Sequence, residues 1–271
     1  MSKTLLAGPF VGELGHELMS WQSYVRALSR KYDKTIVITR PLNGALYADF
    51  ADEIHAYTPS TNKANHSKCV DDMPEDYYEQ FDYDDIIPAN TTIAKWLPGK
   101  GVWINRNIFP RGMLPEWKKF GNIGTAEKYD ILLHCRSTNK LNSGVRNYGL
   151  DNWMELVRLV KEGCYGMRIA CVGMEDASLW IPKTDDLRGV GIQRLMDLMA
   201  NASLVVGSSS GPMHLSSLCG TPHLVISDKI NRKRYLEDWN PFSTKCIFVD
   251  EWRWKPPPQE IEKLIREFFT K

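Results

Sequence analysis

Between Gly207 and Leu215 the sequence reads GSSSGPMHL, three serines held between glycines ahead of a proline and a histidine. A strand ending at Gly207 and Ser208, followed by a turn that opens a helix near Pro212, aims backbone N–H groups and the positive end of the helix dipole at one point. Such a point suits a phosphate. The serine hydroxyls add donors, Gly211 allows close approach, and Pro212 fits a first helical turn where its missing N–H costs nothing. No Gly-Lys-Ser/Thr follows, so this is not a Walker A loop; the same residues also make a plain tight turn, and both readings stand. Arg136 follows the apolar run DILLHC, where a guanidinium past a strand end can clamp a phosphate with two hydrogen bonds. Lys140 and Arg146 share the loop behind it and either complete the charge or form a solvated basic loop. Near the amino terminus, GPFVGELGHELM places three titratable groups, Glu13, His16 and Glu17, around two glycines. Gly12 and Gly15 fit the last two positions of the dinucleotide fingerprint, but Phe10 takes the first. The next strand ends in Arg40 rather than an acid, so only an NADP-linked oxidoreductase survives among dehydrogenase readings.

These residues need elements to hold them, and the chain supplies alternating strands and helices. With 271 residues, 43% hydrophobic and 25% charged, it suits one large or two modest globular domains. Lys plus Arg (34) balances Asp plus Glu (33), so no global field draws it to nucleic acid or an acidic membrane. No apolar run reaches the roughly 18 residues of a membrane span, and the start is too short for a signal peptide, so a cytoplasmic protein is expected. The six cysteines are scattered without a C-x-x-C pair and are expected to be free thiols, mostly buried. KTLLAGPF reads as a strand, then a helix from about Gly15 with Leu18, Trp21, Val25 and Leu28 on one stripe, then the strand KTIVITR. From about 56 to 122 the periodicity degrades. It returns at KYDILLHCR and continues through the helix NWMELVRLVKEG, strand RIACVG, helix IQRLMDLMANA, strand SLVVGSS, helix MHLSSLCG and strand HLVIS. That order is an α/β class with largely parallel sheets. Domains are placed at 1–124 and 125–255, with a terminal helix at 256–271 that can pack back on the first.

ASLVVGSSSGPMHLSSLCGTPHLVI resembles the donor-site signature of the heptosyltransferase-type glycosyltransferases, glycosyltransferase family 9. The resemblance runs back through YDILLHCRS, NWMELVRLV, IACVGMEDA and IQRLMDLMANA, covering about residues 128 to 228. It implies a GT-B fold, two Rossmann-like domains facing across a cleft. It implies that Ser209, Ser210, Gly211, Met213 and His214 lie under the diphosphate of a nucleotide sugar. Where the family usually has an acid, this chain has Ser209. HCR is similar to the His-x-Arg of fucosyltransferase-like enzymes, whose arginine binds the donor phosphate, here Arg136. Glu175, after CVGM, is placed like the acid that holds ribose hydroxyls in related enzymes, or is a surface carboxylate. The family's catalytic base is the acid of a Gly-acid pair after the first strand. Counted from the strand that is Gly12-Glu13; counted from the glycine that opens the helix it is Gly15 followed by His16, with Glu17 next.

An inverting transfer needs such a base for the acceptor hydroxyl and cationic or amide groups for the departing diphosphate. No metal site and no cofactor is expected, the nucleoside-diphosphate sugar being the donor substrate. DYDD reads as a solvated tyrosine-rich surface. The acceptor is a glycan or another hydroxyl, including a hydroxymethylated DNA base as in phage DNA modification. Lys229, Arg232, Lys233 and Arg234 in DKINRKRY form, with EWRWK, a basic and aromatic cluster that either follows a nucleic-acid backbone or is a solvated cationic face. The alternatives are the NADP-linked oxidoreductase and a nonenzymatic nucleotide- or glycan-binding module.

Overall fold

The computed structural model describes residues 2–10, 12–58, 75–88, 101–102, 112–138, 144–163 and 166–270. The chain divides into two compact units, Met1–Lys118 and Lys119–Lys271. The division falls a few residues before the expected 124/125, because Phe120 already belongs to the second unit. Its N–H donates to the carbonyl of Leu218 at 3.0 Å.

In the first unit, strands β1 (Thr4–Phe10), β2 (Lys34–Thr39), β3 (Glu53–Ala56), β4 (Asp85–Ile87) and β5 (Gly101–Val102) form one sheet in the order β3-β2-β1-β4-β5. All of its pairings are parallel. β1 is buried along nearly its whole length, which explains an unbroken apolar run in place of alternation. Between β1 and β2 lie α1 (Leu14–His16), a π-helical turn at Glu17–Trp21, and α2 (Gln22–Ser29). The expected stripe Leu18, Trp21, Val25 and Leu28 is buried in full. The acidic-aromatic stretch departs from expectation. Tyr78 and Tyr83 are buried beside Leu6, Ile36, Ile38 and Ile86, and the Tyr78 hydroxyl donates to the carbonyl of Gly8 at 2.9 Å. Their apolar rings fill the space over a short sheet, so the tyrosines are core, while the acids Glu79, Asp82 and Asp84 stay exposed as a solvated surface.

The second unit holds β6 (Ile131–His134), α3 (Leu150–Gly163), β7 (Ile169–Gly173), β8 (Asp185–Arg188), α4 (Ile192–Ala200), β9 (Leu204–Ser208), α5 (Gly211–Cys219), β10 (His223–Ile226), β11 (Cys246–Val249) and α6 (Pro258–Thr270). Its parallel sheet has the order β11-β10-β9-β6-β7-β8. The chain builds outward from β6 to β8, then returns to start β9 on the other side. β6 and β9 therefore flank a topological switch point, where open α/β sheets bind ligands at the strands' carboxyl ends. The terminal helix α6 belongs to this unit: Ile261 and Ile265 are buried in one cluster with Trp153, Leu156, Val157 and Val160 of α3. Among the described residues Cys135, Cys171, Cys219 and Cys246 are free, the first two buried; Cys69 and Cys164 lie outside them. No helix among the described residues is long and apolar enough to cross a membrane.

Candidate functional site

The switch point of the second unit gathers the loops after β6 and β9. At the end of β9, Ser210 stands at the N-cap of α5 in extended backbone, with Pro212 in the first turn. Gly207 is the one residue that fits beneath this turn, since a Cβ there would lie 2.7 Å from Met213 Sδ and 3.0 Å from the His134 carbonyl. Met213 and His214 are buried and support the turn from below. The His214 ring stacks on Tyr235 at 4.2 Å and meets the edge of Trp239 at 4.7 Å.

The β6 end contributes His134 and Arg136, each about 5% exposed. Nδ1 of His134 is 2.9 Å from Oγ of Ser210, a contact that ties the two loops together across the switch point. Burial and then the nearby Arg136 cation pull the His134 pKa down to about 4, so the ring is neutral at pH 7. Arg136 donates to Oδ1 of Asn147 at 2.5 Å. Asn147 in turn holds the backbone of Thr138 through both its amide atoms, at 3.2 and 3.1 Å, and so stiffens the loop that carries the arginine. Gly173, at the end of β7, has φ +121°, and a Cβ would fall 2.8 Å from both His134 Cδ2 and Ser178 Oγ. Gly173→Ala is therefore expected to cost about 2–4 kcal/mol through overpacking and backbone strain, read as a lowered melting temperature. An unchanged melt would show that His134 and Ser178 can give way.

Arg146 is half-buried in the same loop, next to Asn147. Glu175 is exposed beyond β7, its carboxylate lying over Gly189 at the end of β8, where a Cβ would stand 3.0 Å from Oε1. Lys140 lies outside the described residues. Of the basic cluster, Arg232 is paired in fork geometry with Asp250 at 2.8 and 2.9 Å. Lys233 is paired with Asp238, and Arg234 lies over the Trp239 ring at 4.8 Å. Two of these cations thus carry their own counter-ions.

In the first unit the loop after β1 separates the three candidate bases. The carbonyl of Glu13 accepts from the N–H groups of His16 and Glu17 at 3.0 and 3.1 Å, while its carboxylate makes no capping bond and is exposed. His16 is half-buried. Glu17 is fully buried and accepts from Thr39 Oγ1 at 2.6 Å, Tyr47 Oη at 2.7 Å and Asn43 Nδ2 at 2.5 Å. Burial raises its pKa to about 7 against the pull of those donors and of Arg40. Glu17 is thus enclosed by partners of its own, whereas the Glu13 carboxylate is exposed and His16 is half-buried. His134, Asn147 and Tyr235 were missed by the sequence reading. Only His134 had a local signal, its place beside Arg136 in HCR.

No protein-family model matches the chain, and no curated protein is significantly similar to it in sequence. Solved structures are similar in fold. The ADP-heptose LPS heptosyltransferase II of E. coli is 13% identical, with 99% of this chain and 98% of that one covered and a TM-score of 0.62. E. coli heptosyltransferase WaaC with ADP is 10% identical, with 98% and 99% covered and a TM-score of 0.61. A family 9 glycosyl transferase from Veillonella parvula is 10% identical, with 99% and 97% covered and a TM-score of 0.64. Similarity along nearly the whole of each chain, together with the two parallel sheets, shows that this protein has the GT-B fold of those glycosyltransferases.

Proposed function

We propose that the protein is an inverting glycosyltransferase that moves a sugar from a nucleoside-diphosphate sugar to an acceptor hydroxyl. The observation that carries this reading is the switch point of the second unit, where Arg136 and the serine turn before α5 meet through the His134–Ser210 contact. In this reading the turn and Arg136 receive the diphosphate, and Glu175 reaches the ribose hydroxyls. The acceptor oxygen attacks the anomeric carbon as the bond to the diphosphate oxygen breaks. Glu13 takes the acceptor's proton, and the electron pair leaves with the diphosphate. Arg136 and the positive end of α5 stabilise that developing charge.

Two of the similar structures are named for ADP-heptose or contain ADP, so adenine donors come first in the test. Melting curves with ADP, GDP, UDP, CDP and NADP are expected to show one nucleoside diphosphate stabilising the protein. At about 100 times its Kd the gain is about 3 kcal/mol, or roughly 5–10 °C. Arg136→Lys keeps the charge but loses the two-pronged geometry, and is expected to weaken that binding about tenfold. A shift with NADP alone would sink the transferase reading, as would a shift by no diphosphate.

A further inference from the structure

Ser210 is held on three sides. Its backbone N–H donates to the hydroxyl of Tyr235 at 3.0 Å, and that hydroxyl donates onward to Ser209 Oγ at 3.0 Å. Its own Oγ donates to the carbonyl of Ser208 at 2.8 Å. A serine hydroxyl has one hydrogen: with it on the Ser208 carbonyl, His134 Nδ1–H donates to Oγ, and with it on Nδ1 the bond runs the other way, so either tautomer ties the ring to Ser210 at 2.9 Å. Ser209 is fixed as well, its N–H donating to the Ile226 carbonyl at 3.0 Å.

Tyr235 is itself rigid. It is about 1% exposed, its ring stacked on His214 at 4.2 Å and tilted against Phe248 at 5.7 Å. It lies in a π-helical turn, Arg234–Asp238, a geometry that frequently marks functional positions. The hydroxyl of a buried tyrosine needs a polar partner, and here the partners are both serines of the turn.

We propose that Tyr235 and His134 are positioning residues of the donor site. Between them they consume the backbone N–H and the hydroxyl of Ser210, so the turn before α5 is set before a nucleotide arrives. Ser210 then acts as a strut, and neither Tyr235 nor His134 touches the nucleotide. This rests on the transferase reading above, and affinity is the quantity it governs, because a preset turn spares the ordering that binding otherwise costs.

The test is titration calorimetry of the full chain with ADP, GDP, UDP and CDP, using the tightest of the four for the variants. Tyr235→Phe keeps the ring stack and deletes only the hydroxyl; His134→Leu deletes the ring partner of Ser210; His134→Asn restores a polar partner near Nδ1. The expected result is a Kd raised about tenfold in Tyr235→Phe and His134→Leu, and within about threefold of the parent in His134→Asn. If His134→Leu fails to fold, Tyr235→Phe decides alone. Parental affinity in Tyr235→Phe and His134→Leu overturns the positioning role and leaves the transferase reading standing, and equal loss in His134→Asn overturns the hydrogen-bond basis. Binding of none of the four diphosphates by the parent protein overturns both.

Discussion

Glu13→Gln is expected to slow sugar transfer about 10²- to 10⁴-fold, the range of a positioned general base, while leaving nucleoside-diphosphate affinity within about twofold. The fold gives this substitution little else to disturb. The helix start is capped by the Glu13 carbonyl, which the amide variant retains, and the exposed carboxylate makes no capping bond. Loss of rate without loss of binding separates a base from a residue that merely shapes the loop. His16→Gln serves as the comparison: full activity in Glu13→Gln with loss in His16→Gln would move the base three residues along the chain. Equal affinity and no transfer in the parent protein, with any donor tried, would instead favour a binding module.

The second large effect is on stability, at Glu17. Three donors, Thr39, Tyr47 and Asn43, converge on this buried carboxylate. Glu17→Leu leaves all three facing an apolar group, at an expected cost of about 3–5 kcal/mol, seen as a melting temperature lower by roughly 6–20 °C. Glu17→Gln keeps an oxygen for Thr39 and Tyr47 and needs only that Asn43 turn its amide over, so it is expected to fold. Its effect depends on pH. The carboxyl titrates near 4.5 when unfolded and at about 7 when folded. Below 4.5 both states hold the proton. Between the two values the unfolded chain gives it up while the folded protein keeps it, so the stability from this group falls as pH rises and is lost above about 7. The full difference is about 3 kcal/mol. Glu17→Gln lacks this slope and is expected to gain on the parent between pH 5 and pH 8 in melting curves. Parallel curves across that range would mean that the three donors keep Glu17 ionised throughout.

The second unit was legible because its inner strands are short apolar runs between helices with one apolar stripe each. The edge strand β8 was not, since its DDLR has exposed acids and no pattern that marks a strand. β4 failed for a different reason. Its first residue, Asp85, is charged, yet the strand holds it through Lys3 at 2.8 Å and Tyr32 at 2.7 Å, partners more than 50 residues away that no local window sees. The site divides the same way. Arg136 and the serine turn announce themselves by residue type beside a strand end. His134 and Tyr235 gain their roles from contacts with serines 76 and 25 residues distant; the histidine sits in an apolar run that otherwise reads as core, and the tyrosine in a charged stretch that reads as surface.

Synthesis order gives the placement of α6 a further meaning. Protein domains generally fold as units while the ribosome is still working, the amino-terminal one first. Among the described residues, the first unit has its strands once Val102 has been made. The second has its last described strand at Val249 but still lacks α6, whose Ile261 and Ile265 join the cluster around α3. Until they emerge, the cluster around α3 has its strand residues, among them Ile131, Leu133 and Ile169, but not the two isoleucines of α6. The half of the protein that holds the serine turn is therefore the half whose core is completed last, the one exposed longest to aggregation and to chaperones, and a stop codon after Val249 would leave that core without its two α6 isoleucines permanently.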